Sequence, residues 1–398
     1  MRPLTIDGLG NNPLLKHNLN KGKKYEKNNK YKDAINEYKK CFSYPGITKP
    51  QEIAANILIG NCYYYISNIK EAENQYKSAL EISEQLENKE ERFQVKSIAL
   101  GNIGNIYSDK GDLEEALKYL NESLFIAREI EYSKVEANSL NSIGNIYSAQ
   151  GNLGEALKYY EEALVIHKET GYRLGEANSL GNIGKIYSDK GDLDEALKYH
   201  EEALVIDREI GYRLGEGSDL GNIGNIYSAQ KNLDEALKYY KETLVIHREI
   251  GYRRGEATSL GNIGNIYSEK GDLDKALKYL KDAIDIEKDI RYRKGEAIDL
   301  GNIGNIYSDK GELDKALKYY EEALVIHREI GYRLGEAISL GNIGDLYSKK
   351  GELDKALKYL KESLVILEKC NLMFGRTIIK NNILEIQNKV KVKSTDDS

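Results

Sequence analysis

Residues 100–140 read LGNIGNIYSDKGDLEEALKYLNESLFIAREIEYSKVEANSL, and this text returns every 40 residues. Leu-Gly-Asn-Ile-Gly-Asn-Ile-Tyr-Ser recurs from Leu180, Leu220, Leu260 and Leu300 with at most one change, and looser copies start at Leu140 and Leu340. A fixed period of about 20–50 residues marks an array of stacked units. Within one copy, Leu100, Ile103, Gly104 and Tyr107 keep the three-and-four spacing of one helix face. Gly111 stops that helix, and Asp112 with Glu115 three residues on forms a capping-box pattern for a second one. Leu113, Ala116, Leu117, Leu120, Leu124 and Ile126 supply the apolar stripe of the second helix. In most later copies it ends at Gly-Tyr-Arg (171–173, 211–213, 251–253, 331–333). Each copy is therefore a helical hairpin, and the expected class is all-α.

The spacing L-x2-I-G-x2-Y, followed by Ala nine residues after the Tyr and a large residue four later, resembles the tetratricopeptide repeat. Leu180, Ile183, Gly184, Tyr187, Ala196 and His200 carry it, as do Leu300, Ile303, Gly304, Tyr307, Ala316 and Tyr320. Leu stands where the family usually has Trp, the usual Pro after the second helix is missing, and the period is 40 rather than 34. The longer unit is similar to the repeats of spindle-orientation adaptors of the LGN type and of kinesin light chains. The resemblance implies a tetratricopeptide-type solenoid, a right-handed superhelix of about nine hairpins, that binds a protein or peptide partner.

The expected organisation is a polar lead-in over 1–13 and hairpins near 14–46, 51–88, 96–135, 136–175, 176–215, 216–255, 256–295, 296–335 and 336–370. A capping helix over 371–390 and a disordered tail over 391–398 follow. The two connected hairpins before residue 96 keep only the family positions, Gly22, Tyr25, Ala34 and Tyr38, then Gly60, Tyr63, Ala72 and Tyr76. A terminal helix such as 377–390 is what closes the apolar end of a solenoid.

With 58 Lys+Arg against 64 Asp+Glu, the chain has a formal net charge of −6 and interleaved signs. A nucleic-acid reader needs a basic stripe, so nucleic acid is not expected as a partner. No stretch approaches the roughly 20 apolar residues of a membrane span, and the first residues lack a signal-peptide core, so a cytoplasmic protein is expected. Cys41, Cys62 and Cys370 fit no metal or redox spacing. His167, His247 and His327 recur two copies apart, too far to share a metal, and no cofactor motif or catalytic constellation appears. No enzyme activity, metal or cofactor is expected. Residues 21–40 hold eight Lys against Glu26, Asp33 and Glu37, a local net of 8 − 3 = +5. That stretch reads either as a solvated face or as a docking patch.

The binding candidates lie on the first helix of each hairpin, on the face beside the Leu and Tyr that enter the core. The paired positions are Asn102/Asn105, Ser142/Asn145, Asn182/Lys185, Asn222/Asn225, Asn262/Asn265, Asn302/Asn305 and Asn342/Asp345. In the resembled repeats this face lines the concave groove. An Asn side chain offers one acceptor and two donors, so a ladder of them suits the N–H and C=O groups of an extended peptide. Selectivity would then come from positions that differ between copies, such as Asn178, Ser218, Thr258, Ile298 and Ile338. Three other readings stand beside this one: asparagines bonded to each other between adjacent first helices, self-association of near-identical repeats, and binding of a folded signalling domain or enzyme through the outer surface. A second Gly in one first helix, such as Gly221 beside Gly224, costs on the order of 1 kcal/mol and implies close approach of a ligand or a neighbouring helix.

Overall fold

The computed structural model describes residues 13–27, 30–370 and 375–396. The lead-in to residue 12, the stretch 371–374 and the last two residues of the expected tail lie outside these. Among the described residues every regular element is a helix. Two units are described in turn, divided between Ile210 and Gly211.

The first unit holds five hairpins: α1 (Pro13–Lys27) with α2 (Tyr31–Lys39), α3 (Lys49–Tyr65) with α4 (Ile69–Ser83), and α5 (Lys89–Asp109) with α6 (Leu113–Glu129). They are followed by α7 (Ser133–Ala149) with α8 (Leu153–Thr170), and α9 (Arg173–Lys190) with α10 (Leu193–Ile210). The second unit holds α11 (Arg213–Ala229) with α12 (Leu233–Glu249), α13 (Arg253–Glu269) with α14 (Leu273–Asp289), α15 (Arg293–Asp309) with α16 (Leu313–Glu329), and α17 (Arg333–Lys349) with α18 (Leu353–Lys369). A last helix, α19 (Arg376–Asp396), covers the end of the second unit. Among the described residues, nine hairpins and a cap match the expected number.

Each hairpin closes through the signature glycine. A Cβ on Gly104 would sit 2.7 Å from Leu120, and one on Gly144 2.6 Å from the Tyr160 ring. The two helices therefore approach closer than any other residue allows. Ala116, Ala156 and Ala196 in the first unit, and Ala236, Ala276, Ala316 and Ala356 in the second, are fully buried at the crossing. Leu140, Ile143 and Ile146 fill the space between one hairpin and the next.

From α3 on, the corner after the first helix is left-handed, as at Gly111 (φ 80°), and the same conformation is imposed on Lys231 (φ 61°). A non-glycine residue there costs about 1–2 kcal/mol, which the packing of both flanking helices overrides.

Three expectations are corrected. The cap at Asp112 is one-sided: its Oδ1 accepts from the Glu115 N–H at 3.3 Å, whereas Thr48 and Gln51 form a reciprocal box. The hairpin expected near 96 begins earlier, because α5 starts at Lys89 behind Asn88, whose side chain caps it. The last helix continues to Asp396, past the expected end at 390, since no Pro or Gly interrupts Lys391–Asp396.

Arginine clamps tie the two helices of a hairpin together. Arg173 bridges Glu176 of its own helix and Glu209, and Arg293 bridges Glu296 at 2.5 Å and Glu329 at 2.7 Å. The glutamates at 176 and 296 are buried, so each clamp neutralises a charge the solvent cannot reach.

Candidate functional site

The second residue of each candidate pair has a partner set by its own hairpin. Asn145, Asn225 and Asn305 accept hydrogen bonds from the Tyr160, Tyr240 and Tyr320 hydroxyls at 2.7, 2.7 and 2.8 Å. Asn61 accepts the same bond from Tyr76 at 2.7 Å. Burial pushes the Tyr160, Tyr240 and Tyr320 phenols up to about 12, so they stay protonated donors. Where Leu120 or Leu280 replaces the tyrosine, Asn105 and Asn265 keep free amides among the described residues. Asp345 accepts from Asn382 of the capping helix at 2.8 Å. Lys185 is exposed, in the one copy where His200 takes the tyrosine position.

The first residue of each pair behaves differently. Asn102, Asn182, Asn222, Asn262 and Asn342 are half-buried and make no hydrogen bond among the described residues. Asn302 donates to Asp299 of its own helix at 3.2 Å. No two candidate asparagines bond each other among the described residues, so amide-to-amide bonding between adjacent first helices is not what places them.

In the first unit the structure gathers Asn102, Asn105, Asn145 and Asn182 into one recess of about 410 Å³. Asn138, Asn141 and Asn178 join them, with Leu120 and Val135 at its floor. Lys185 does not line it. A second recess of about 470 Å³ shares Asn102, Asn105 and Asn138 and adds Tyr64, Tyr65, Tyr172 and Lys134. Volumes of this size suit small ligands or short segments. In the second unit, Asn222, Asn225, Asn262, Asn265, Asn302, Asn305 and Asn342 occupy the same register on α11, α13, α15 and α17. There the variable positions differ: the Ser218 and Thr258 hydroxyls donate to their own helix backbone, while Ile298 and Ile338 are exposed.

Sequence reasoning missed Asn138, Asn141, Lys134 and the tyrosines. Asn138 was findable, one turn before Ser142 at the spacing that picked out Asn178. Asn141 stands where α5 and every first helix from α9 on carry Gly, and its amide donates to the Ser179 hydroxyl at 3.1 Å. Tyr64 and Tyr65 break the repeat text, which reads Ser at the first of these places in every later copy.

Neighbouring side chains explain the second glycine in some copies and not in others. A Cβ on Gly261 would lie 2.9 Å from the Asp299 carboxylate, and one on Gly341 3.0 Å from Ile379 of the cap, while Gly301 has nothing within 4 Å.

The recurring histidines are packing residues between hairpins. His247 and His327 pair Nδ1 with the Ser259 and Ser339 hydroxyls at 3.1 Å, over Gly255 and Gly335, and burial pushes their pKa values down. His200 is 1% exposed and packs on Gly184. Among the described residues no cluster of three or more His, Cys, Asp or Glu side chains could hold a metal ion, and no helix is long and apolar enough to cross a membrane. In the basic stretch, Lys21 and Lys40 converge on Glu37 at 3.0 and 2.8 Å, and Lys39 donates to the Tyr63 hydroxyl at 2.9 Å.

The hairpins, their signature glycines and their 40-residue register belong to one class of protein. The family model "Tetratricopeptide repeat" matches residues 96–169, 135–209, 219–289 and 297–369, more than half of the chain. The chain belongs to the tetratricopeptide repeat family. No curated protein sequence matches it significantly. Among solved structures it is similar to the apo form of the quorum sensor NprR from B. thuringiensis, with 16% identity over 89% of this chain and 97% of that one and a TM-score of 0.67. It is also similar to a Rap protein complexed with Competence and Sporulation Factor, with 13% identity over 95% and 98% of the two chains and a TM-score of 0.58. A third likeness is to a signal transduction ATPase with a tetratricopeptide repeat sensor from Pyrococcus horikoshii. It has 20% identity over 89% of this chain and 55% of that one, with a TM-score of 0.61. These identities carry the fold alone.

Proposed function

We propose that this chain is a non-catalytic interaction scaffold that holds an extended segment of a protein or peptide partner along the first-helix face. The observation that carries the reading is the set of half-buried amides at Asn102, Asn182, Asn222, Asn262 and Asn342, each without a partner among the described residues. An unsatisfied, partly desolvated amide gains more from a ligand hydrogen bond than a fully hydrated one. Repeated at one register, such groups bind main chain with little regard for side-chain sequence. The fold is shared with a quorum sensor and with a Rap protein solved with Competence and Sporulation Factor, which supports a regulatory binding role.

The test is affinity capture from lysate of the source cell, with the intact chain beside a variant carrying Asn102→Ala, Asn182→Ala, Asn222→Ala and Asn262→Ala, matched for helicity. A partner held by the intact chain and lost by the variant supports the reading. Partners retained equally by both overturn it.

One observation favours a second reading. Phe125, Val165 and Val205 form an exposed apolar row on the second helices of the first unit; in the second unit Val245, Val325 and Val365 are exposed at the same position, with Asp285 interrupting them. Contact between copies of the chain through that row would appear as mass rising with concentration in sedimentation, and would be lost in Val165→Glu, Val205→Glu.

A further inference from the structure

We infer that the tyrosine-walled recess of the first unit takes one aromatic side chain of an extended segment, and so fixes the register in which that segment lies on the asparagines. The inference rests on the peptide-binding reading above and adds to it the residue class that is recognised.

The need for such a feature follows from the repeat. Most hairpins present an amide at the first of the paired positions, so a main chain held by asparagines alone would be only weakly fixed against slipping by one repeat. Only a group that is not repeated can fix the register. Hairpin two supplies one: it reads Tyr63-Tyr64-Tyr65 where every later copy has Tyr-Ser at the first two places. Tyr65 stacks one ring face on Tyr31 (centroids 5.1 Å, planes at 16°) and meets Tyr64 edge-on at 6.4 Å. Tyr64 is itself fixed by donating to Asp109 at 2.6 Å. Tyr65 nevertheless remains 65% exposed. A ring held by two others yet open to solvent loses little freedom on binding.

Tyr172 lines the same recess, and its ring is held by His167 at 5.4 Å and by the Lys134 ammonium at 5.3 Å. The partner-free amides of Asn102 and Asn105 lie beside these rings, placed to hold main chain next to whatever enters. Lys134 is the one charged side chain among the residues lining either recess, which disfavours a cationic guest. A flat, uncharged ring fits between the two tyrosine walls by offset or edge-to-face contact.

The test is selection of a random dodecapeptide display library on the intact chain. Enriched peptides are then synthesised with a fluorophore and titrated against the chain and its Tyr65→Ala, Tyr172→Ala, Tyr65→Phe and Asn102→Ala, Asn182→Ala variants. The expected result is a single shared aromatic position among the peptides. Tyr65→Ala and Tyr172→Ala should each weaken binding about tenfold, Tyr65→Phe should bind as the intact chain does, and replacing the peptide's aromatic by Ala should abolish the effect of Tyr65→Ala. Peptides that lose affinity with the asparagine variant but not with Tyr65→Ala would overturn the aromatic slot and leave the peptide-binding reading in place. Failure to enrich any peptide, or peptides indifferent to both sets of changes, would overturn the two together.

Discussion

The Tyr160 hydroxyl donates to Asn145 Oδ1 at 2.7 Å, tying the second helix of a hairpin to the face that its first helix turns outward. The same bond recurs from Tyr240 to Asn225 and from Tyr320 to Asn305. It divides the asparagines into one set committed to the hairpin and another with spare amides. Asn145→Ala should therefore destabilise by about 1 kcal/mol, since it strands a buried phenol, whereas Asn102→Ala should stay within about 0.5 kcal/mol of the intact chain. Urea denaturation followed by circular dichroism measures both. Equal costs at the two sites would contradict the division.

The two glycines of a first helix should respond oppositely to alanine. At Gly224 a Cβ would meet the Tyr240 ring at 2.7 Å, so Gly224→Ala should cost about 1–3 kcal/mol through overpacking. At Gly301 nothing lies within 4 Å, so Gly301→Ala should gain about 0.5–1 kcal/mol from helix propensity. Melting temperatures moving in opposite directions are the expected outcome.

Glu287 takes the place that His247 and His327 hold in adjacent copies, and it is 2% exposed with its Oε2 unpartnered. Burial first, then the charges of Asp299 and Glu296, pushes its carboxyl up to about 9 from an ordinary 4.5. The folded chain thus holds a proton that the unfolded chain releases. Stability from this group is full below about pH 4.5 and is lost as pH rises toward 9, with a slope of at most about 1.4 kcal/mol per pH unit. Burial also lifts Asp299, to about 7, which adds to the loss over the lower part of that range. Glu287→Gln should flatten the stability profile between pH 6 and 9, measured by chemical denaturation at each pH; an unchanged slope would count against the buried protonated carboxyl.

The histidines act on the acid side. Burial pushes His327 below its ordinary 6.5, so the folded chain prefers the neutral ring while the unfolded chain takes up a proton. Stability from that ring is present above about pH 6.5 and falls as pH drops through the lower folded value. His327→Leu, which places the residue found at Leu367 one copy later, should remove one proton's share of the loss between pH 6.5 and 5. A profile in that window identical to the intact chain's would refute it.

The 40-residue period, the Leu-Ile-Gly-Tyr spacing and the Gly-Tyr-Arg corners were enough to place nine hairpins and a closing helix, because each of those features acts within about one turn of the residue that carries it. Boundaries were less legible. Asn88 starts α5 seven residues before the repeat text suggests, and nothing in Lys391–Asp396 stops α19. The asparagine register was equally visible, since helical periodicity alone puts Asn102 and Asn182 on one face.

Which of those asparagines are free was decided by tertiary contact. Whether Asn145 or Asn105 has a partner depends on Tyr160 or Leu120 meeting it from a second helix 15 residues away, and the two possibilities look alike in the first helix. The joining of Tyr65 and Tyr172 in one recess is a still longer-range fact. These residues are 107 positions apart, and only the stacking of intervening hairpins brings them together, each hairpin contributing a small rotation that no local spacing encodes.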